Sequence, residues 1–282
     1  MSHLPTLCVL LLIGSLGSAR AAESYENCSG FIDSVPATIT TQGTWCLHND
    51  LATAITSGIA IRVQANNVTL DCNDFKIGGL AAGVSTNAYG IHSDKLNTTV
   101  RNCAVRGFYV GIQLYGDGHV AEQNRLEANT WLGIETSGDG NTIRNNMVND
   151  TGGRPAQQFA YAIAASGVGA RVLGNSINGV TPTGNIGLFS PVGIRLINGI
   201  AQGNQISGLV TGNSEFAEAI GIDMFGKSIA SDNRLIPIGS TAVQGFGIRG
   251  AFATDTACVA NVVVHYSGGI STCSSAGNVV VP

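Results

Sequence analysis

The chain has 282 residues, of which 11% are charged and 44% hydrophobic, with 38 glycines and a formal net charge of −4. This acidic balance argues against a basic face for nucleic acid. The apolar residues fall mostly in short alternating runs, so we expect no membrane span either.

The N-terminus carries the longest continuous apolar stretch, from Leu7 to Leu16. This stretch is too short to cross a bilayer, and it is followed by Ala19-Arg20-Ala21, the small-x-small pattern of a cleavage site. These features predict a secretory signal peptide over residues 1–21, cleaved near Ala21. The mature protein is therefore expected to be secreted or periplasmic.

Six cysteines follow the predicted signal peptide, and an even number in an exported chain favours disulfides. They are Cys28, Cys46, Cys72, Cys103, Cys258 and Cys273. Proximity favours pairing the first two and the last two, one pair near each end of the chain. The remaining two fall on neighbouring repeats, as described next. A metal site is the alternative, but the sequence contains no Cys-x-x-Cys motif to support it.

Beyond residue 67 a pattern recurs: an apolar residue, two residues, Asn, one residue and a second apolar residue, as in Leu70-x-x-Asn73-x-Phe75. The copies are 21 to 30 residues apart, and seven of the eight have Asn at the marked position. The marked residues are Asn73, Cys103, Asn124, Asn146, Asn175, Asn204, Asn233 and Asn261. A small residue followed by Ile recurs after each marked residue, with isoleucines at Ile91, Ile112, Ile134, Ile163, Ile194, Ile222, Ile248 and Ile270.

A repeat of this length is typical of a solenoid. The side chain of a buried Asn at each coil corner can form hydrogen bonds with the backbone of its own corner and with the Asn of the next coil, about 4.8 Å away. Residues two apart share a face of a strand, so Tyr89 and Ile91 are expected to point into the core together. We predict an all-β fold, a single-stranded right-handed parallel β-helix of about eight coils with an N-terminal cap.

The phrases Val68-Thr69-Leu70-Asp71 and Thr142-Ile143-Arg144-Asn145-Asn146, with the repeated Gly-Ile, resemble the pectin-lyase-like superfamily of right-handed β-helix repeat proteins. The resemblance covers roughly Val68 to Val281 and concerns the fold. We therefore divide the chain into a signal peptide (1–21), an N-terminal cap with first strands (22–67) and the β-helix (68–282). A short helical turn is expected near residues 50–56. Polysaccharide lyases of the superfamily use an Arg base with calcium held by carboxylates, but no dense Asp cluster matches that arrangement here.

Two outward columns of polar residues follow from the alignment of the repeats. Asp71, Arg101, Glu122 and Arg144 alternate in sign on four consecutive coils and predict a structural salt ladder. The second column follows the Gly-Ile marker and contains His92, Gln113, Glu135, Ala164, Arg195, Asp223, Arg249 and Ser271. Its last charged members, Arg195, Asp223 and Arg249, are interpreted as another ladder, with substrate binding as the alternative.

The coils have unequal lengths, because two short ones, beginning at Cys103 and Asn124, lie between longer ones. We expect a notch there, walled by loops over residues 74–88 and 149–160, since inserted loops often collect on a binding face. Tyr109 and Trp131 occupy equivalent positions on its floor. They are candidate sugar-binding residues, together with Gln113; the alternative is that the two rings pack beneath the loops.

Candidate catalytic residues near the notch are Glu135, Glu127 and His92. Glu135 could act as a general acid or base, and Glu127 is the nearest second carboxylate in sequence. Asp117-Gly118 and Asp139-Gly140 on adjacent coils are interpreted as turns, with a calcium site as the alternative. We predict no cofactor.

These features predict an exported protein that binds an extended polysaccharide. Cleavage is left open: if the protein is an enzyme, we expect a polysaccharide lyase or a glycoside hydrolase. The alternative is a non-catalytic envelope or extracellular scaffold.

Overall fold

The computed structural model describes residues 27–155, 157, 159–183, 190–211, 217–238, 243–251 and 255–282. The predicted signal peptide, its cleavage site and the first residues of the predicted cap lie outside this part of the chain. The described residues form an all-parallel β-solenoid in which each coil contributes strands to three walls. The predicted parallel β-helix is therefore confirmed.

The first wall contains the Gly-Ile markers, and the second precedes the Asn markers; together they form one 19-stranded sheet. Strands of the first wall are Ala37–Ile39, Ser57–Val63, Asn87–Ser93, Val110–Tyr115, Leu132–Ser137, Ala219–Phe225, Gly245–Gly250 and Ile270–Ser271. Strands of the second wall are Gly30–Phe31, Gly43–Cys46, Val68–Asp71, Thr99–Arg101, Val120–Glu122, Thr142–Arg144, Ile229–Ser231, Ala257–Val259 and Ser274–Ala276. Two long strands, Phe159–Leu173 and Ser190–Gln202, run through both walls.

The third wall is a separate 10-stranded sheet that follows the Asn markers. Its strands are Leu51–Ala52, Lys76–Gly78, Ala104–Arg106, Arg125–Glu127, Met147–Gly152, Ser176–Thr181, Gln205–Leu209, Arg234–Leu235, Val262–Val264 and Val279–Val281. A single turn of 3-10 helix, Leu80–Ala82, lies in the predicted 74–88 loop. The helical turn expected near residues 50–56 is wrong, because Leu51–Ala52 pairs with the next coil as a strand. Among the described residues, no helix is of a length and hydropathy that could span a membrane.

The core is built from stacked columns of aliphatic side chains. The isoleucines of the Gly-Ile markers pair from coil to coil, and all are fully buried from Ile91 to Ile248. Ile61, which precedes the first predicted marker, extends this column by one coil. The strands before residue 68 thus already stack in register on the later coils.

The expectation that Tyr89 points inward beside Ile91 is wrong. Ile91 is fully buried, whereas Tyr89 is half-buried and its ring contacts the outward His92, with ring centroids 6.2 Å apart. The glycine between them breaks the alternation, because a Cβ on Gly90 would lie 2.5 Å from the carbonyl oxygen of Gly111. Gly90 must therefore face the interior, which places the preceding tyrosine on the outer surface.

The predicted asparagine ladder runs without interruption from Asn124 to Asn278. At each step the side-chain oxygen of one Asn accepts hydrogen bonds from the backbone N–H and side-chain amide of the Asn on the preceding coil, at 2.8–3.0 Å. Asn278 is a member that the repeat pattern missed. Asn73 lies outside the ladder and donates instead to the Leu47 carbonyl oxygen at 3.1 Å.

The three disulfides join Cys28 to Cys46, Cys72 to Cys103 and Cys258 to Cys273. The pairing expected from sequence proximity is confirmed, as is the placement of Cys72 and Cys103 on adjacent coils. The Cys28–Cys46 and Cys258–Cys273 disulfides lie near the two ends of the described solenoid, and Cys72–Cys103 joins two adjacent coils. Together they constrain both terminal regions of the chain.

The first polar column forms separate ion pairs. Arg101 donates from Nε to Asp71 at 2.7 Å, and Arg144 donates likewise to Glu122 at 2.7 Å. The arginine side chains of these pairs are 40% and 50% exposed, so each pair contributes about 0–1 kcal/mol. The column is therefore structural, in agreement with its interpretation as a salt ladder.

The two Asp-Gly pairs lie in stacked turns. The side chain of Asp117 accepts the backbone N–H of Asp139, and Asp139 accepts that of Val168, both at 2.8 Å. Gly118 and Gly140 have φ of +71° and +68°, which glycine adopts without strain. Each carboxylate thus fastens its turn to the turn of the next coil, which supports the turn interpretation.

His119, fully buried beneath this turn, makes the stability of the fold sensitive to acid. Its Nδ1 accepts the backbone N–H of Thr98 at 3.0 Å, and burial lowers the pKa of its imidazole below the usual 6.5. The unfolded chain therefore takes up a proton near pH 6.5 when the folded chain does not. We expect the free energy of unfolding to be constant above this pH and to fall below it, by up to about 1.4 kcal/mol per pH unit for this group.

Urea unfolding between pH 7.5 and 5 measures how steeply the free energy of unfolding depends on pH. His119→Asn keeps an acceptor without the titration and should make the slope shallower; an unchanged slope would contradict the assignment.

Candidate functional site

The second polar column lies on the outer face of the first wall, one residue after each buried isoleucine. In register it contains Arg62, His92, Gln113, Glu135, Ala164, Arg195, Asp223, Arg249 and Ser271. Neighbouring members are about 4.8 Å apart along the solenoid axis. The predicted residues His92, Gln113 and Glu135 are thus brought together, as are Arg195, Asp223 and Arg249.

Glu135 is held by two neutral hydrogen-bond donors. Its Oε2 accepts from Gln113 Nε2 at 2.6 Å and from the Tyr115 hydroxyl at 3.0 Å. Burial, and then the nearby Glu135 carboxylate, raise the pKa of the Tyr115 hydroxyl, so tyrosine stays the donor. No Lys, Arg or His within the described ranges lies within 4.0 Å of this carboxylate. Glu135 is therefore fixed in position while its charge has no cationic partner.

His92, on the coil before Gln113, joins the same hydrogen-bond network. Its Nδ1 lies 2.9 Å from Gln113 Oε1, so Nδ1 carries the proton and donates to that amide oxygen. Burial of the ring lowers the pKa of His92 and favours the neutral imidazole at pH 7. His92 thus orients Gln113, which in turn holds Glu135.

A gap follows Glu135, because the next member of the column is the small Ala164. Across this gap stands Arg195, whose guanidinium carbon lies 5.1 Å from the Phe225 ring centroid and 5.9 Å from that of Tyr161. The cleft between Glu135 and Arg195 has a volume of about 120 Å³. We call this space, bounded by Glu135, Ala164 and Arg195, the Ala164 cleft.

Arg195 differs from the other arginine of this group in having no carboxylate partner among the described residues. Arg249 donates to both oxygens of Asp223, at 3.0 and 3.1 Å, and lies 3.7 Å from Glu218. The Nε of Arg195 is buried without a hydrogen-bond partner. Asp223 and Arg249 thus form the predicted ladder, whereas Arg195 is left to present its charge to the cleft.

The predicted notch is present beside this column. A cavity of about 140 Å³ lies between the two loops, lined by Leu80, Gly83, Val84, Gly107, Ala128, Thr130, Asp150 and Gly152. Tyr109 and Trp131 are not among these lining residues, so their expected place on the floor of the notch is wrong; their rings stack on each other, with centroids 4.7 Å apart and planes at 16°. Tyr89 and Tyr161 pack edge-on at the two ends of this pair.

The faces of the stacked rings are largely occupied. The guanidinium of Arg154, from the second loop, lies 4.7 Å from the Tyr109 centroid. The same group donates to the carbonyl oxygens of Ser85 and Thr86 and to Asn87 Oδ1, which joins the two loops across the notch. Because a sugar ring stacks on an aromatic face, the structure favours the packing interpretation of Tyr109 and Trp131.

Glu127 lies on the third wall, away from Glu135 on the first. Its carboxylate faces Arg106, with Nη1 and Oε2 4.0 Å apart. The two carboxylates share no hydrogen-bond partner. Nearness in sequence suggested that Glu127 and Glu135 could act together as two catalytic carboxylates. The corner at residues 128–131 instead places Glu135 on a different wall from Glu127. Within the described residues, no group of three or more His, Cys, Asp or Glu side chains is arranged to hold a metal ion.

Sequence reasoning missed two contributors to the site, Tyr115 and Arg154. Tyr115 stands two residues after Gln113 on the same face, so period-two alternation could have found it. Arg154 contacts residues 67 to 69 positions away through a loop that carries no repeat marker. Nothing in its local sequence signals that contact.

No family model matches the sequence, and neither does any curated protein. Solved structures do match. The enzymatically active domain of tailspike protein 2 from bacteriophage CBA120 aligns with a TM-score of 0.59 and 13% identity, over 91% of this chain and 41% of that one. At this identity the likeness shows only that the two chains share a fold. This chain thus spans about two fifths of the length of the tailspike domain.

Two further solved structures are similar at lower scores. An alginate lyase from a Paenibacillus species aligns with a TM-score of 0.46 and 12% identity, over 90% of this chain and 100% of that one. A DFA-IIIase from Arthrobacter chlorophenolicus aligns at 0.49 and 13%, over 80% and 61%. At such identities the likeness concerns the fold alone.

Proposed function

We propose that this protein is exported and binds an extended polysaccharide along the outer face of the first wall, with one sugar substituent seated in the Ala164 cleft. The observation that carries the proposal is the gap in the polar column. Glu135 and Arg195 face each other across Ala164, and neither has a partner of opposite charge among the described residues.

The chemistry of the cleft suits a polar, uncharged or acidic sugar. Arg195 offers several N–H donors in a fixed plane, and Glu135 offers acceptor lone pairs to hydroxyl groups. The rings of Tyr161 and Phe225 both contact the guanidinium and support its position. Donors and acceptors held rigid before binding lose little conformational entropy when a ligand arrives.

Export is supported by the three disulfides, which are typical of proteins that fold in oxidising compartments. The apolar N-terminal stretch with its Ala19-Arg20-Ala21 motif is the second support. We therefore propose a secreted or periplasmic location.

Binding without cleavage is favoured over catalysis. Hydrolysis of a glycosidic bond by two carboxylates needs them about 5–9.5 Å apart. The next carboxylate along the column, Asp223, is three coils from Glu135, or about 14 Å, and both its oxygens accept from Arg249. A non-catalytic scaffold that presents a glycan-binding face fits this geometry; a polysaccharide lyase or glycoside hydrolase is the second candidate.

A glycan array of neutral and uronate-containing polysaccharides tests the proposal. We expect wild type to bind and Ala164→Leu to lose at least tenfold in affinity, because the larger side chain fills the cleft. Ala257→Leu places the same change on the second wall and should bind as wild type does. Trp131→Ala reports on the notch, and we expect it to retain binding. No binding by wild type, or equal binding by Ala164→Leu, refutes the cleft.

The same polysaccharides distinguish binding from cleavage. Incubation with and without calcium, followed by reducing-end assays and by the ultraviolet absorbance of unsaturated products, should show no product. Product formation would establish the enzymatic candidate instead.

A further inference from the structure

A cavity in the described part of the chain lies on the opposite side of the two short coils. It has a volume of about 430 Å³ and is lined by Asp74, Cys103, Ala104, Gln123, Asn124, Arg125, Asn145 and Met147. This volume falls within the range of small-molecule sites, about 300–1,000 Å³. The cavity runs along the corner between the second and third walls, so it is separate from the Ala164 cleft.

The shape of this groove follows from the third-wall register. Ala104 stands between Lys76 on the coil before and Arg125 on the coil after. A small side chain between two long ones leaves a depression, as Ala164 does on the first wall. Met147, 40% exposed, continues the column beyond Arg125 and forms an apolar end to the groove.

The polar side chains of the groove are free to meet a ligand. Asp74, Gln123, Arg125 and Asn145 are all exposed, and none of their side chains has an ion pair or a side-chain hydrogen bond within the described ranges. Nearby charges are paired: Lys76 lies 2.8 Å from Asp50, and Arg106 faces Glu127. The groove therefore differs from its surroundings in leaving donors and acceptors unused.

The charges of the groove select the class of ligand. The negative charge of Asp74 and the positive charge of Arg125 cancel, so the lining has no net charge that would favour an anion or a cation. Two amide groups, one carboxylate and one guanidinium together donate to and accept from hydroxyl groups. Met147 and the Ala104 methyl group offer apolar contact to a carbon ring face. A neutral ligand dense in hydroxyl groups satisfies all of these groups at once.

We infer that this groove is a second binding site, one that takes a neutral oligosaccharide on the corner opposite the Ala164 cleft. This inference does not depend on the proposed function, because the two sites share no residue. Two sites on opposite sides of one rigid solenoid would let the protein hold two glycan chains, or two segments of one chain.

Binding of neutral oligosaccharides tests the site. The probes are hexasaccharides of glucan, mannan, xylan and galactan, measured by saturation-transfer NMR and titration calorimetry on the whole mature chain. We expect at least one hexasaccharide to bind, and Arg125→Ala to weaken that binding at least tenfold. Ala104→Tyr, which fills the groove, should do the same.

Matched variants keep the result interpretable. Arg234→Ala removes an exposed arginine from the same third-wall column, four coils further on, and should bind as wild type does. Ala164→Leu should also retain this binding, which separates a failure of this site from a failure of the proposed function. Arg125→Ala changes an exposed side chain, so the test survives if Ala104→Tyr does not fold.

Three outcomes overturn the inference. None of the four hexasaccharides binds; or Arg125→Ala binds as tightly as wild type; or short neutral peptides compete for the groove while no hexasaccharide does, which would identify a peptide site.

Discussion

Replacing Asn175 by alanine is expected to lower the free energy of unfolding by about 3–5 kcal/mol. Asn175 is 1% exposed and stands in the middle of the ladder. Its Oδ1 accepts from the backbone and side chain of Asn146, and its Nδ2 donates to the Ile143 carbonyl oxygen and to Asn204 Oδ1. Alanine removes all four bonds and leaves their partners buried, each at a cost of about 1–3 kcal/mol that is not fully additive.

Urea unfolding followed by circular dichroism and tryptophan fluorescence measures this loss. Asn73→Ala is the matched control, because Asn73 is a marked asparagine that lies outside the ladder and makes one side-chain bond, to Leu47. We expect that variant to lose about 1 kcal/mol. Equal losses at the two positions would show that the ladder contributes no more than an ordinary hydrogen bond at a turn.

The ladder also shows why the fold was predictable from sequence. Each coil must bury an aliphatic residue and satisfy a corner, so Ile and Asn recur at fixed positions that a single sequence displays. Asn278 escaped notice because the last coil is shorter, with 17 residues from Asn261 instead of the 21 to 30 between earlier markers. The repeat pattern therefore predicts the β-helix and most of its coils, but it misses the ladder asparagine of the last coil.

The direction of Tyr89 could not be read from alternation alone. Period-two patterning assumes an unbroken strand, and Gly90 breaks it where the backbone of the next coil approaches too closely for a Cβ. The aromatic residues at this position, Tyr89, Tyr161 and Phe246, are half-buried, whereas Val110, Leu132, Val192 and Ile220 are buried. Exposure at this position therefore varies from coil to coil, and alternation alone does not predict it.

The site was predictable only where it depends on register. The alignment of repeats placed His92, Gln113 and Glu135 in one column, and the structure joins them through hydrogen bonds. Glu127 was chosen for its nearness in sequence, and a coil corner sends it to another wall. The contacts of Arg154 depend on two loops meeting in space, which no local pattern encodes.

Arg195→Ala is expected to weaken polysaccharide binding by about 30- to 100-fold, the larger of the two effects predicted for the Ala164 cleft. Hydrogen bonds to a charged group contribute about 1.5–3 kcal/mol, and 2.7 kcal/mol corresponds to a factor of about 100 in Kd. The substitution leaves Glu135 facing an emptied cleft, without a donor for a ligand oxygen. Titration calorimetry with the polysaccharide identified on the array measures the change.

Two comparisons separate recognition by Arg195 from a structural role. Arg195→Lys keeps the positive charge but loses the planar array of donors, so we expect it to bind between wild type and Arg195→Ala. Arg171→Ala removes an exposed arginine from the same sheet, away from the cleft, and should leave Kd unchanged. Because Arg195 packs against Phe225 and Tyr161, its loss can also reduce stability. A variant that unfolds at a lower urea concentration yet binds normally would place Arg195 in the packing of the outer face, and the gap at Ala164 would then have no role in binding.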